Sequence, residues 1–337
     1  MKAISLFSGV GGFDIGFERA GIETVLQAEQ DPWCLEVLAR HWPQTERVTD
    51  VRDVRGGVGI DLIYGGSPCQ DVSVAGKRAG LGGERSGLWF EFERILSELR
   101  PRWAVIENVP GLLSSNKGRD FAVILDGLED LGYSVGWAVL DAQNFGVPQR
   151  RRRVFIVAGA TRRCVEQVLS LCESCGGNPE TSAAPGAHVT NALDVRAGGA
   201  DDNEAQGGFL IPEIAWALQE RDAKGADSDT EVGHLLPQHA GGVRRLTPLE
   251  CERLMGWPDD WTRWTAGGKE IADSHRYRMA GNGVVASVAE WLGHRIVAVD
   301  ADLGQVSIPL KTPWYLTDEA LAAAIAQEVA WAKEKRE

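Results

Sequence analysis

Cys69 is the residue whose type and position point most directly to chemistry. It follows an apolar run at residues 61–64, which predicts a buried strand, and it stands in the segment Pro68-Cys69-Gln70. Because ligands of parallel sheets bind at the carboxyl ends of the strands, a thiol here could act as a nucleophile. The thiolate is the reactive form, and a nearby cation would stabilise it. The alternative is an inert buried cysteine, a common environment for this residue.

Polar side chains also follow later strands. Glu107 comes directly after an apolar run at residues 103–106, and a buried carboxyl group there could hold a proton and bind the polar edge of a base. Gln149 is followed by four consecutive arginines at residues 150–153, which could bind a phosphate and a base carbonyl. The alternatives are a loop acid paired with an arginine and a solvated basic surface.

A glycine-rich, basic segment separates Cys69 from the next predicted helix. Residues 71–88 contain five glycines together with Lys77 and Arg78. Such a segment beside a nucleophile is typical of a mobile lid that closes over a substrate. A plain surface loop has the same composition and is the alternative.

The turn after the first predicted strand is suited to a nucleotide-like cofactor. Gly9, Gly11 and Gly12 lie there, and glycines allow the backbone to approach a ligand closely. Asp14 stands where the dinucleotide fingerprint G-x-G-x-x-G has its third glycine, and an acid there would repel phosphates. A tight strand–helix turn without a ligand is the alternative.

One acid follows the second predicted strand, and another follows a third, weaker apolar run. Glu29 could accept hydrogen bonds from both hydroxyls of a ribose, and Asp50 could accept one from an adenine amino group. A solvated loop acid is the alternative for Glu29. Together with the glycine turn, the two acids favour an adenosyl ligand.

The net charge at first argues against a nucleic-acid partner. The 337 residues carry a formal charge of −13, whereas nucleic-acid binders usually present a basic surface. Basic residues are clustered, however, at positions 77–78, 150–153, 162–163 and 244–245. A basic face on an acidic protein is therefore compatible with the sequence.

The composition also bears on compartment and metals. No apolar run reaches the ~18 residues of a membrane span, and the apolar start breaks at Gly9, too early for a signal peptide. We therefore expect a cytoplasmic protein without disulfides. Among the six cysteines, the one regular pair is Cys172 and Cys175, too few ligands for a structural zinc site, so we expect no metal.

The hydrophobic pattern predicts an α/β fold. Short apolar runs alternate with amphipathic segments up to about residue 160, which is typical of a Rossmann-like, mostly parallel sheet with helices on both faces. Predicted strands lie at residues 4–7, 24–26, 62–64, 103–106, 135–140 and 154–157, and predicted helices at 15–19, 33–41, 88–99 and 121–131.

The later part of the chain has a different character. Residues 164–242 are rich in Gly, Ala, Asp and Asn, which predicts a smaller, irregular domain. Helical patterns return at residues 247–255 and 284–295, and a last helix is expected from Thr317. We therefore divide the chain into a catalytic and cofactor-binding domain at residues 1–163, a second domain at 164–270, and a return to the first domain at 271–337.

These motifs, in this order, resemble the cytosine-5 DNA methyltransferase family over residues 4–160 and about 244–289. Residues 68–70 are similar to its Pro-Cys motif, 107–109 to Glu-Asn-Val, and 149–153 to Gln-x-Arg-x-Arg. Residues 244–258 resemble the motif that organises a variable target-recognition domain, which the irregular insert would form. The resemblance implies S-adenosyl-L-methionine as cofactor, with contacts at Phe7, Gly9, Gly11, Gly12, Glu29, Asp50, Val51, Pro68, Leu88, Asn282 and Val284.

The resemblance also implies a mechanism on double-stranded DNA. Cys69 would add to carbon-6 of a flipped-out cytosine, and protonated Glu107 would donate to the ring. Arg151 and Arg153 would hold the extruded nucleotide. Further DNA contacts are expected at Gln70, Ser73, Lys77, Arg78, Gln149 and Arg244. A monomer suffices for one active site, and a cognate restriction endonuclease is not required for activity.

Two positions depart from the family pattern. The family often has Phe or Leu where Val72 stands, and Ser or Ala where Gly283 stands. A smaller residue at position 72 could weaken closure of the predicted lid.

Three other functions are compatible with parts of the sequence. A tRNA cytosine methyltransferase would share the motifs, but that branch lacks a large insert such as residues 164–242. A catalytically silent DNA-binding relative is disfavoured by the presence of Cys69 and Glu107. An adenosyl- or NAD-dependent enzyme acting on small molecules is disfavoured by the arginine cluster and the insert.

Overall fold

The computed structural model describes residues 1–55, 59–66, 87–170 and 246–303. It also describes, as backbone, the short strands Ala215–Trp216, Leu235–Pro237 and Val243–Arg245. Several predictions fall outside the described residues: Pro68, Cys69, Gln70, Ser73, Lys77, Arg78, the pair Cys172 and Cys175, and the helix expected from Thr317.

A seven-stranded sheet forms the centre of the fold, and its order is β3-β2-β1-β4-β5-β8-β6. The strands are β1 (Lys2–Leu6), β2 (Glu23–Ala28), β3 (Glu46–Val48), β4 (Leu62–Gly66), β5 (Trp103–Asn108), β6 (Ser134–Asp141) and β8 (Arg152–Gly159). The first five pair in parallel, and β8 pairs antiparallel with both β5 and β6. The predicted mostly parallel α/β sheet is therefore confirmed.

Both faces of the sheet are covered, which explains the continuous apolar runs in the sequence. Along β5, Trp103 and Val105 belong to one buried cluster, and Ala104 and Ile106 to another on the opposite face. The helices are α1 (Gly12–Arg19), α2 (Pro32–His41), α3 (Gly87–Leu99), α4 (Arg119–Asp130), α5 (Arg162–Leu169), α6 (Pro248–Leu254), α7 (Asp273–Asn282) and α8 (Ala286–Leu303). Within the described part of the chain, no helix is long and apolar enough to cross a bilayer.

Short strands lie outside the main sheet. The remaining strands are β7 (Gln149–Arg150), β9 (Ala215–Trp216), β10 (Leu235–Pro237) and β11 (Val243–Arg245). β7 pairs in parallel with β9, and β10 pairs antiparallel with β11. The insert thus contributes one strand that pairs beside the arginine cluster and one hairpin that leads into α6.

Two helices were not predicted. In α7 the buried residues are Arg276, Met279, Ala280 and Gly281, so the inward face of this helix carries few apolar side chains. α5 buries Cys164, Val165 and Val168, and the expected domain boundary at residues 163/164 falls inside it. The hydrophobic periodicity of α7 is weak because Arg276, a buried arginine, stands where a packed helix face usually has an apolar residue.

Glu93 is a carboxyl group buried between α3 and α4. It is 1% exposed, and among the described residues its Oε1 has no hydrogen-bond partner. Its carboxyl group lies against Gly127, where an added Cβ would be 2.5 Å from Oε1. Burial, with a further contribution from the charge of Asp130, raises the pKa of Glu93 from 4.5 to about 8.

The raised pKa predicts a pH-dependent stability. The unfolded chain loses the Glu93 proton above pH 4.5, whereas the folded chain keeps it until about pH 8. The free energy of unfolding therefore falls across that window, by up to about 1.4 kcal/mol per pH unit. We expect Glu93→Gln to remove this contribution, so that the variant exceeds the parent in stability at pH 8 and matches it near pH 4.5.

Urea unfolding at several pH values measures this difference. Glu129→Gln, an exposed position on α4, is the matched control and should leave the profile unchanged. A Glu93→Gln profile parallel to that of the parent would contradict the assignment.

Candidate active site and cofactor pocket

The carboxyl ends of the parallel strands bring the predicted site residues to one edge of the sheet. β1 leads into the glycine turn, and β2 leads to Glu29. In the register of β4 and β5, Gly66 pairs with Glu107. An added Cβ at Gly66 would lie 3.1 Å from Glu107 Oε2, so the last residue of β4 is next to this carboxyl group. Cys69 follows three residues later in the sequence.

The turn after β1 has a left-handed backbone at three positions. The φ angles are 53° at Phe7, 56° at Gly9 and 83° at Gly11. Phe7 is the exception to the preference of this region for glycine, and such strain is found mainly where the surrounding structure requires it. Among the described residues, no atom lies within 4 Å of an added Cβ at Gly9.

Gly12 is required by a close approach between the two ends of the described chain. An added Cβ at Gly12 would lie 2.3 Å from the carbonyl oxygen of Val284. An added Cβ at Gly11 would likewise meet the ring of Trp42 at 2.4 Å. Gly12 and Val284, which were both predicted to contact the cofactor, therefore lie next to each other. Asn282, another predicted contact, is the last residue of helix α7, two residues before Val284.

Glu29 supports the turn directly. Its Oε2 accepts from the backbone N–H of Gly9 at 2.7 Å, and its Oε1 accepts from the N–H groups of Gln30 and Asp31. Burial raises the pKa of Glu29, and the three N–H donors oppose that rise. One lone pair of Oε2 stays available for a ligand hydroxyl.

The remaining predicted adenosine contacts lie beyond β3 and at the start of α3. Asp50 accepts from the backbone N–H of Arg52 at 2.8 Å, and its side chain is 45% exposed. Val51 is buried in the core below it, and Leu88 packs partly buried against the same cluster. The exposed carboxylate of Asp50 thus stands next to Val51, and Val51 and Leu88 belong to the same apolar cluster.

Asp14 lies beneath the glycine turn. It is fully buried and accepts from Ser5 Oγ at 3.0 Å and from Gln27 Nε2 at 2.9 Å. Burial raises its pKa to about 6. The carboxyl group therefore joins β1, β2 and α1 beneath the turn.

Glu107 and Arg153 form an ion pair at the end of β5. Arg153 Nε lies 2.9 Å from Glu107 Oε1, and the side chains are 19% and 12% exposed. Burial raises the pKa of Glu107, and the charges of Arg153 and Arg151 oppose that rise. The raised pKa means that this carboxyl group binds a proton more readily than an exposed glutamate does, as a proton donor requires.

Arg151 and Gln149 are both buried. Arg151 is 2% exposed, and its Nη2 donates to the carbonyl oxygens of Gly281 at 2.8 Å and Gly283 at 2.7 Å. Gln149 is 0% exposed and donates to the carbonyl of Leu254 at 2.8 Å. In this conformation both side chains hold backbone segments together. The contacts of Arg151 with an extruded nucleotide and of Gln149 with DNA stay predictions. The sequence shows five consecutive donor side chains at residues 149–153, and it did not reveal that Gln149 and Arg151 are the buried ones.

The rest of the predicted set is described less fully. Arg244 lies in β11, and its side chain is outside the described residues. Among the described residues, no group of three or more His, Cys, Asp or Glu side chains could hold a metal ion. Trp257, which belongs to the motif at residues 244–258, donates to a backbone carbonyl of the pocket, and so does Trp261, which the sequence analysis did not single out. Trp257 stands between Gly256 and Pro258, and Trp261 follows three residues after Pro258.

The fold is an α/β sheet with a glycine turn and buried acids at the carboxyl edge of its parallel strands, and similar solved structures are methyltransferases. The methyltransferase EhMeth of Entamoeba histolytica superposes with a TM-score of 0.64 at 16% identity, covering 90% of this chain and 99% of that chain. A putative DNA modification methyltransferase encoded within a prophage of E. coli gives 0.59 at 22% identity, covering 89% and 99%. At these identities the similarity shows the fold.

Sequence comparison identifies the family. The family described as C-5 cytosine-specific DNA methylase matches residues 1–172 and 195–298. The type II methyltransferase M2.BsuMI of Bacillus subtilis is 31% identical over 309 residues, 88% of this chain and 75% of the relative. M.Bsp6I of Bacillus sp. is 29% identical over 317 residues, covering 88% and 98%. The chain therefore belongs to the C-5 cytosine-specific DNA methylase family and is a DNA cytosine-5 methyltransferase. The match confirms the resemblance inferred from the sequence motifs.

The contact at Gly12 predicts a sensitive position. We expect Gly12→Ala to force the turn away from Val284, because no real Cβ approaches a carbonyl oxygen as closely as 2.3 Å. Such overpacking typically costs about 1–3 kcal/mol. Binding of S-adenosylmethionine, measured by calorimetry, should weaken at least tenfold.

Gly267→Ala is the matched control, because an added Cβ there meets nothing closer than 4.0 Å. It should bind like the parent. Unchanged binding by Gly12→Ala would show that the turn tolerates displacement.

Proposed function

We propose that this chain transfers a methyl group from S-adenosyl-L-methionine to carbon-5 of a cytosine flipped out of double-stranded DNA, through a covalent adduct with Cys69. The observation that carries the proposal is the Glu107–Arg153 pair beside Gly66, the last residue of β4. Three residues of chain span at most about 11 Å. Cys69 is therefore tethered within reach of this buried acid.

The residues present fit the proposed cofactor. Glu29 Oε2 keeps an acceptor for a ribose hydroxyl, Asp50 keeps an exposed carboxylate for an adenine amino group, and Gly9 leaves the turn open. Phe7, Val51 and Leu88 supply apolar surface for the adenine ring. When bound, S-adenosylmethionine supplies an electrophilic methyl group.

The remaining chemistry is assigned to side chains of this chain. The Cys69 thiolate forms a bond to carbon-6 of cytosine, which makes carbon-5 nucleophilic. Glu107 donates its proton to the ring nitrogen that gains electron density, and Arg153 holds Glu107 in place and faces the base. After carbon-5 has taken the methyl group, a base removes the carbon-5 proton, the thiolate leaves carbon-6, and the ring nitrogen returns its proton to Glu107. Arg151 acts through the backbone of residues 281–283.

Double-stranded DNA is the proposed substrate. The insert between α5 and α6 matches the place where the family carries its target-recognition domain, and β9 of this insert pairs with β7 beside the arginine cluster. We propose DNA contacts from Gln70, Ser73, Lys77, Arg78 and Arg244. We also propose a monomer, because all the assigned residues lie on one chain. A cytoplasmic location and the dispensability of a restriction endonuclease stay predictions.

Cys69→Ser tests the nucleophile. With S-adenosylmethionine present, the parent should form a complex with duplex DNA containing 5-fluorocytosine that survives denaturing electrophoresis, because fluorine at carbon-5 prevents elimination. Cys69→Ser should form none, while Cys172→Ser should behave like the parent.

A trapped complex with Cys69→Ser would refute the assignment. Methyl transfer to tRNA in preference to duplex DNA would refute the proposed substrate. The absence of methyl transfer by the parent to either would indicate a silent DNA-binding relative.

Glu107→Gln tests the proton donor. An amide cannot give up a proton to the ring, so we expect the rate of methyl transfer to fall about 10²-fold or more. Binding of S-adenosylhomocysteine should change less than twofold, because the glycine turn and Glu29 are untouched. Equal losses in rate and in cofactor binding would instead assign Glu107 a structural role.

A further inference from the structure

The segment that follows the insert reaches the cofactor pocket from outside the sheet. β11 leads into α6, and Trp257 and Trp261 come directly after this helix with 4% and 9% of their surface exposed. Glu252 anchors the segment, because its carboxylate accepts from the backbone N–H of Thr262 at 2.9 Å and from Arg276 Nη2 at 3.0 Å. The two indoles are therefore carried on a fixed backbone.

Trp261 contacts the glycine turn. Its indole Nε1 donates to the carbonyl oxygen of Val10 at 2.8 Å, in a buried hydrogen bond. The ring of His41 stacks on it at 3.5 Å with an interplanar angle of 7°, and the ring of Trp42 meets it edge-on at 5.4 Å. Trp42 is also the ring that occupies the space beside Gly11.

Trp257 contacts the second backbone segment of the pocket, at Val284. Its indole Nε1 donates to the carbonyl oxygen of Val284 at 3.0 Å, and this is the oxygen that lies against Gly12. An added Cβ at Gly283 would lie 2.4 Å from Cζ2 of the same indole. The ring therefore explains why glycine stands at a position where the family often has serine or alanine.

We propose that Trp257 and Trp261 are positioning residues of the cofactor pocket, each fixing one of its two backbone segments through an indole N–H. The inference rests on the proposed function, because it takes this pocket to be the site of S-adenosylmethionine. A buried carbonyl that loses its donor must find another partner. Without the indole N–H, the turn at Val10 or the segment at Val284 shifts, and the cofactor contacts shift with it.

The test uses substitutions that remove the N–H and keep an aromatic ring. For Trp257→Phe and Trp261→Phe in the full chain, we expect S-adenosylhomocysteine to bind about tenfold more weakly by calorimetry, equivalent to ~1.4 kcal/mol. With saturating DNA, KM for S-adenosylmethionine should rise by a similar factor and kcat should change less than twofold.

Trp103→Phe is the matched control. Trp103 is fully buried, and its indole donates to Asp300 at 2.9 Å from the amino-terminal end of β5, at the opposite edge of the sheet. We expect this variant to lose thermal stability as the other two do, but to bind S-adenosylhomocysteine like the parent.

A second comparison tests the geometry at Gly283. In the parent, Gly283→Ala should weaken cofactor binding. When the same substitution is added to Trp257→Phe, the decrease in affinity that it causes should be smaller, because the phenylalanine ring leaves room for the methyl group of the alanine. Equal losses in the two backgrounds would overturn the contact with Trp257.

Two results would overturn the inference. Binding by Trp257→Phe and Trp261→Phe at the parent affinity would show that the indole N–H groups do not position the pocket. If Trp103→Phe bound S-adenosylhomocysteine as weakly as the other two variants, the loss of affinity would be a consequence of lower protein stability and not of the missing indole N–H groups. Absence of binding by the parent itself would instead refute the proposed function.

Discussion

The carbonyl oxygen of Val284 lies against Gly12, and the pocket depends on this contact. It presses the segment before α8 onto the turn after β1, so that residues from the two ends of the described chain share one site. Gly16, one turn further along α1, meets α8 in the same way, since an added Cβ there would lie 2.4 Å from the carbonyl of Ala286. Close packing of backbone on backbone thus replaces side-chain contacts where the cofactor is proposed to bind.

Three buried carboxyl groups with raised pKa values have different surroundings and different consequences. Asp14 receives two side-chain hydrogen bonds and organises the start of the sheet. Glu107 is held by Arg153 at the edge where chemistry is proposed. Glu93 has neither an arginine nor, among the described residues, a hydrogen bond at Oε1, so its burial weakens the fold as pH rises.

The strands of the main sheet were predictable because burial on both faces leaves unbroken apolar runs such as that of β5. The order of the motifs also placed Glu29, Glu107 and the glycine turn at the carboxyl ends of parallel strands, where the structure has them. α7 escaped prediction because Arg276, bonded to buried Glu252, occupies its inward face. The contacts of Asp14 were not predictable because its partners Ser5 and Gln27 come from separate strands.

The sequence by itself determined which chemical groups the chain carries and at which strand ends they stand, because both follow from local periodicity and from the geometry of a parallel sheet. Only the tertiary structure decided which backbone atoms those groups bind. Arg151 donates to Gly281 and Gly283, and Trp261 donates to Val10, across long separations in sequence. Such contacts depend on how α6, α7 and α8 pack on the sheet, and no local pattern of residues contains that information.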